Sequence, residues 1–211
     1  MQFTILECQN PECKFRFSVD LSTKYPNLCP SCKSPLHEVE PRFQSAKVNR
    51  PQINPKLPRV EVLLDNIRST FNVGAMFRSC DGAQINHVHL CGTCPTPDHP
   101  KIKKTGLGAE YTVPWTYHKN GKTAVENMKN SGFQIWSLEG GIDAIPLFEY
   151  PPPDPLIPVL LVVGNEVTGV DPGILKLSDR IVYLPMMGQK ESLNVAIAFG
   201  IAVYFMRFKA R

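Results

Sequence analysis

Four cysteines near the start of the chain have a spacing that can hold a metal. Cys8, Cys13, Cys29 and Cys32 fall as two close pairs, C-x4-C and C-x2-C, with fifteen residues between the pairs. Thiolates grouped this way suit tetrahedral Zn²⁺, with Zn–S bonds of about 2.3 Å. Further along, three segments gather polar side chains beside glycine. The first holds Asn72, Gly74 and, six residues after the asparagine, Arg78. Arg78 stands between Phe77 and Cys80, where a guanidinium calls for an anion, either a phosphate or a carboxylate. The second holds Gly164, Glu166 and Gly169. Glycine directly after an apolar run leaves room for a ligand, and Glu166 would stand at its edge. The third runs from Leu184 through Pro185, Met186 and Gly188 to Ser192, Leu193 and Asn194. Ser192 is placed to cap a final helix, whose first N–H groups could hold a carboxylate. Each segment also has a plainer reading: Asn72 as an N-cap, Arg78 in a structural ion pair, Glu166 as a solvated turn residue.

The bulk composition bounds what can position these groups. With 211 residues, 43% hydrophobic and 20% charged, the chain has material for one full domain and a small extra one. No apolar stretch reaches the roughly 18–20 residues that a membrane span needs. The first residues, MQFTILECQN, lack the basic region and cleavage site of a secretory signal, so the expected compartment is cytoplasmic. In that compartment close-set cysteines point to metal or chemistry rather than disulfides. A net charge of +4 is mildly basic and does not by itself identify a nucleic-acid binder. Four thiolates and one Zn²⁺ would lower it to about +2.

Glycine and proline divide the chain. All 14 glycines lie at Gly74 or later, whereas 8 of the 20 prolines fall within 1–58. The reading is a module over 1–40, a proline-rich linker over 41–58 and a main domain over 59–211. The first piece is too short to build an apolar core and needs a staple. Phe15, Phe17, Val19 and Leu21 alternate with polar residues as a strand would. With its cysteines, the piece resembles a zinc ribbon, except that Lys33 and Ser34 follow the second pair where glycine is common.

In the main domain, strands are expected over 60–64, 87–91, 133–138, 158–163 and 181–184. Helices are expected over 72–83, 123–130, 171–177 and 192–208. The run PVLLVV at 158–163 reads as a central parallel strand. The last helix is apolar nearly all round, so it must be covered on every face, partly by core and partly by a second subunit. The fold class is α/β with a mostly parallel sheet, and ligands of such sheets bind beyond the carboxyl ends of the strands.

The three segments, in this order, resemble the SPOUT superfamily of methyltransferases, and within it the SpoU or TrmH-like family. Asn72 and Arg78 match its first motif, and Gly164, Glu166 and Gly169 its second. Pro185, Met186, Gly188, Ser192, Leu193 and Asn194 match its third. The segment from Lys104 to Glu110 also looks like a family segment. The resemblance spans about 59–208 and leaves out the ribbon and linker.

The resemblance implies a C-terminal trefoil knot, a homodimer and S-adenosylmethionine (AdoMet) bound in the knot. It implies methyl transfer to a ribose 2′-hydroxyl of tRNA or rRNA. Leu138, Gly164, Leu184, Met186 and Leu193 would then line the AdoMet pocket. Arg78 would hold RNA phosphate and ribose, while Asn72, Glu166, Ser192 and Asn194 orient the reacting groups. A guanidinium with a pKa above about 12 is a poor base, so orientation and electrostatic stabilisation are the better role for Arg78. One catalytic centre could draw Arg78 and the pocket from different subunits. Two alternatives stay open: an RNA-binding protein that keeps the fold without catalysis, and a related enzyme that methylates a base. Arg68, Lys101, Lys103 and Lys104 are candidate phosphate contacts or a solvated basic loop. Cys80 reads as core, and Cys91 and Cys94 form a further C-x2-C. The five histidines show no ligand-like spacing, and His87 and His89 read as structural.

Overall fold

A computed structural model of the chain describes residues 2–44 and 57–209. The polypeptide forms two compact units divided at Ile53–Asn54. The first is a small antiparallel sheet of β1 (Gln2–Cys8), β2 (Arg16–Asp20), β3 (Leu36–Glu38) and β4 (Phe43–Gln44). β1 pairs with each of the other three. Most of the segment read as a linker lies outside the described residues. Its start does not: Phe43 and Gln44 pair with Phe3 and Gln2 and extend the sheet.

In the second unit, seven strands form one sheet in which every pairing is parallel. They are β5 (Val60–Asp65), β6 (His87–Cys91), β7 (Trp115–His118), β8 (Gln134–Leu138), β9 (Ile145–Pro146), β10 (Val159–Val163) and β11 (Arg180–Tyr183). The order is β7-β6-β5-β10-β8-β11-β9. β5 and β10 lie at the centre and are buried at every residue, because helices cover both faces. Their sequences, VEVLLD and VLLVV, therefore show no alternation.

One face is covered by α1 (Thr70–Ala83), α2 (Pro100–Gly106) and α5 (Val195–Phe208). There Phe77, Met76, Phe199, Val203 and Trp136 form the larger core. On the other face, α3 (Gly121–Asn130) and α4 (Pro172–Leu175) pack through Val125 and Ile174 on Leu63, Leu160 and Val162. Among the described residues no helix is long and apolar enough to cross a membrane.

Several local expectations change. α1 starts two residues earlier than its apolar spacing suggested, because Ser69 caps it by accepting from Asn72 N. α5 begins at Val195, not Ser192, because Asn194 accepts from Ala196 N and Ile197 N. Gly74 lets α1 and α2 approach closely, since a Cβ there would fall 1.9 Å from Thr105 Oγ1. Lys101, Lys103 and Lys104 lie on the exposed side of α2, not in a loop. Cys94 Sγ donates to Leu64 O and accepts from Ile67 N, so it fastens the turn after β5.

Arg207 is an unexpected core residue. The residue is 5% exposed, and its guanidinium donates to Ala83 O and Pro58 O. Among the described residues it has no carboxylate partner, and burial pushes its pKa down. Arg207→Ala leaves two buried carbonyls without donors, so unfolding free energy should fall by about 3 kcal/mol in urea denaturation.

Candidate active site

The central strands leave their sheet in opposite directions. β5 feeds α1 on one face and β10 feeds the turn to α4 on the other, which opens a crevice at their carboxyl ends. The register levels the neighbouring strands: Val163 pairs with Leu138, and Leu138 with Val182. The next residues, Glu139, Gly164 and Tyr183, therefore open together into a cleft of about 390 Å³, and the segment before α5 closes its other wall. Leu138, Gly164, Leu184, Met186 and Leu193 all line it, as do Glu166, Ser192 and Asn194. Its size falls within the range of small-molecule sites, about 300–1,000 Å³.

Gly164 is held by close packing. A Cβ there would meet Val170 N at 2.1 Å and the Gly169 carbonyl carbon at 2.2 Å, both rigid backbone. Gly169 itself has φ +74°, in the left-handed region. Gly164→Ala must push the turn away from the strand end. Ligand affinity at this cleft should fall at least tenfold and stability by about 2 kcal/mol, checked by calorimetry and thermal denaturation.

Glu166 joins the three motif segments. Its carboxylate accepts from Arg68 N, Ser69 N and Asn72 Nδ2, the last at 2.9 Å. It thus sits on the amino terminus of α1, where the helix dipole favours an anion. Asn72 Oδ1 in turn accepts from Asn194 Nδ2 at 3.2 Å. Burial pushes the Glu166 carboxyl up, but its own amide, Asn72 and the Arg68 and Ser69 amides just before α1 outweigh this and hold it below the ordinary range. With the folded value lowered, its contribution is complete above the ordinary carboxylate range and is lost as pH falls through the lowered value.

The structure does not bring every candidate residue into this network. Ser192 is exposed on the cleft wall and caps nothing. Arg78 lies outside the cleft lining of its own chain. Six helical residues past Asn72 place it about 9 Å along α1 and about 120° around it. It is exposed, and among the described residues it has no hydrogen bond or ion pair, so the structural ion pair is not found.

Two residues of the site escaped the sequence reading. Glu139 accepts from Val170 N at 2.9 Å and from Gly140 N, tying the end of β8 to the turn after β10. Asn165 donates to Asn66 O at 2.7 Å and accepts from Val167 N and Thr168 N, which bridges the ends of β5 and β10. Only their positions, one residue past a strand and between two motif residues, could have signalled them.

In the first unit, the four cysteine sulfurs lie within 4.8 Å of one another. Cys13 and Cys29 are 3.8 Å apart, and Cys8 and Cys32 3.4 Å. Bonds of 2.3 Å at tetrahedral angles require about 3.8 Å between sulfurs, so the donor set fits zinc. Lys14 and Lys33, each directly after the second cysteine of its pair, take φ +48° and +64°. Lysine thus adopts at both knuckles the conformation for which glycine is usual.

Residues 59–204 match the SpoU rRNA Methylase family. The chain belongs to that family. It is 31% identical over 177 residues to the 23S rRNA (guanosine(2553)-2′-O)-methyltransferase RlmP of Bacillus subtilis, covering 82% of this chain and 68% of that one. It is 30% identical over 149 residues to the tRNA (guanosine(18)-2′-O)-methyltransferase of Aquifex aeolicus, covering 68% and 66%. Among solved structures, the AdoMet-bound rRNA methyltransferase from Sinorhizobium meliloti superposes with a TM-score of 0.66 at 23% identity. That match covers 73% of this chain and 57% of the other, and it supports the fold. The SpoU match takes in β5 through most of α5, and so every strand of the parallel sheet and every motif residue named above.

Proposed function

We propose that the chain is an AdoMet-dependent RNA methyltransferase acting on a ribose 2′-hydroxyl of tRNA or rRNA. The observation that carries this reading is the Glu166–Asn72–Asn194 chain of hydrogen bonds, which ties all three SpoU motifs to one cleft. Relatives of both substrate classes support it. AdoMet, when bound, supplies a methyl group on a cationic sulfur. Leu138, Gly164, Leu184, Met186 and Leu193 would hold it, mostly through backbone groups freed at the strand ends. Glu166, Asn72 and Asn194 fix the first turn of α1 and the start of α5 against each other, with Ser192 facing the cleft. Arg78 offers a guanidinium with no carboxylate to satisfy it, suited to hold an RNA phosphate and to stabilise charge at the ribose oxygen. The hydroxyl proton leaves to water or phosphate.

A homodimer belongs to this reading. Ile197, Ile201, Tyr204 and Phe208 form an exposed apolar stripe on α5, and Phe71 is exposed on α1. Since Arg78 does not reach its own cleft, a dimer would let it serve its partner's. The knot expected from the family belongs to the same proposal. So does structural Zn²⁺ at Cys8, Cys13, Cys29 and Cys32, and so does the division into a ribbon over 1–40, a linker and a methyltransferase domain from 59.

The test is transfer of label from AdoMet to unmodified tRNA and rRNA, followed by nuclease digestion. Labelled nuclease-resistant dinucleotides are expected, because 2′-O-methylation blocks cleavage at that ribose. AdoMet binding with no transfer to any RNA would overturn the activity, and label in a base would relocate it.

A further inference from the structure

The lysines of α2 and the segment from Lys104 to Glu110 take no part in the cleft lining. Their place is set by α1. Gly74 of α1 lies against Thr105 and Gly106, with no room for a Cβ between them. Further along the same helix, Asp81 Oδ1 accepts from Thr112 Oγ1 at 2.7 Å. A single 3₁₀ turn, Ala109–Tyr111, packs against α1 between these two ties. Gly74, Arg78 and Asp81 follow one another at spacings of four and three, so they share one stripe of α1. Residues 105–112 are thus fastened to that stripe one turn before Arg78 and one turn after it.

This segment presents apolar surface to water. Leu107, which ends α2, is 69% exposed, and Tyr111 is 71% exposed. Basic groups surround the tyrosine: Lys103 Nζ lies 5.8 Å from its ring centroid, and Lys101, Lys104 and Arg78 are exposed. The carboxylates of the same region are already engaged. Glu110 is buried and accepts from Gly108 N at 3.0 Å, which braces the turn, and Asp81 holds Thr112. An aromatic ring on a braced turn, flanked by cations, suits an unpaired nucleotide, whose base stacks on the ring while its phosphate meets an ammonium. Bases inside a duplex are already stacked on both sides and offer no face.

We infer that Tyr111 is a stacking platform for an unpaired RNA base next to the nucleotide that Arg78 holds, with Lys103 on the adjoining phosphate. The substrate is then an RNA whose target ribose lies in a single-stranded loop. This rests on the RNA reading above for its partner, and RNA affinity tests it separately from methyl transfer.

The full chain is titrated into fluorescently labelled, unmodified tRNA and rRNA transcripts and into a fully paired RNA duplex, and anisotropy is read at several salt concentrations. Tyr111→Ala should weaken the better-bound transcript about tenfold or more, whereas Tyr111→Phe should stay within about twofold of wild type, because stacking needs the ring and not the hydroxyl. Neither change alters charge, so the slope of log affinity against log salt should not move. Lys103→Gln should make that slope shallower by about 0.7–0.9. Both side chains are exposed, so melting temperatures should match wild type. Wild-type affinity in Tyr111→Ala, an equal loss in Tyr111→Phe, or duplex bound as tightly as the transcripts overturns the platform. So does a Tyr111→Ala chain that keeps its RNA affinity but sediments as a smaller species, which would give the ring to a subunit interface. Methyl transfer that fails while RNA binding still depends on Tyr111 overturns the enzymatic reading and leaves the platform standing.

Discussion

Arg78→Ala should lower methyl transfer about 10³-fold while leaving AdoMet affinity within about threefold of wild type. A preorganised donor aimed at developing charge contributes about 3–4 kcal/mol, and Arg78 has no folding partner whose loss would blur the result. The split follows from position, because Arg78 is not among the residues lining the cleft. Arg78→Lys should recover little, since an ammonium cannot grip phosphate in two places. The loss should appear in single-turnover rates with RNA, with calorimetry reporting the unchanged affinity. Mixing Arg78→Ala with Gly164→Ala chains, at AdoMet concentrations too low to fill the Gly164→Ala cleft, tests where the guanidinium acts. If each centre combines two subunits, random reassortment makes half the dimers mixed, each with one intact centre, and restores about a quarter of wild-type activity. If Arg78 serves its own chain, each chain of every mixed dimer is defective and nothing returns.

On the proposed zinc site, removing the metal from the first unit should unfold it. Among its described residues Leu6 and Val19 are the buried hydrophobic side chains other than cysteine, far too little to offset chain entropy. Structural zinc in small modules contributes about 10–16 kcal/mol at neutral pH. A strong chelator, or Cys29→Ser, should therefore abolish protection of the β1–β4 amides in hydrogen exchange. β5 and β10 should stay protected, because their core is the parallel sheet's own. Within the cluster the Ser34 hydroxyl and amide pull the Cys32 thiol down to about 6, while burial pushes the Cys8 thiol, 3.4 Å away, up to about 12. Protection of β1–β4 that survives chelation would remove zinc from the account.

The sequence was informative where the physics is local. β10, covered on both faces, is visible as an apolar run, and β5, β6, β8 and β11 were also expected close to where they lie. Spacing alone grouped the four cysteines, and the order of three polar segments was specific enough to point to a family. Strands β1, β3, β4, β7 and β9 were missed because their residues are neither strictly alternating in polarity nor continuously apolar. Helix starts were misjudged because several residues compete to cap, and only geometry selects Ser69 over Asn72 and Asn194 over Ser192.

Residue pattern thus picks out the longer strands of the parallel sheet, the cysteine quartet and the identity of the motif residues. It leaves open which of those residues meet. Glu166 and Asn72 are 94 residues apart, and Asn72 and Asn194 are 122 apart. They meet because β10 is inserted beside β5, an order that no periodicity encodes. Local pattern reports which face of an element is buried. Which carboxylate meets which helix start depends on how the sheet is threaded, and that is fixed only when the whole core packs.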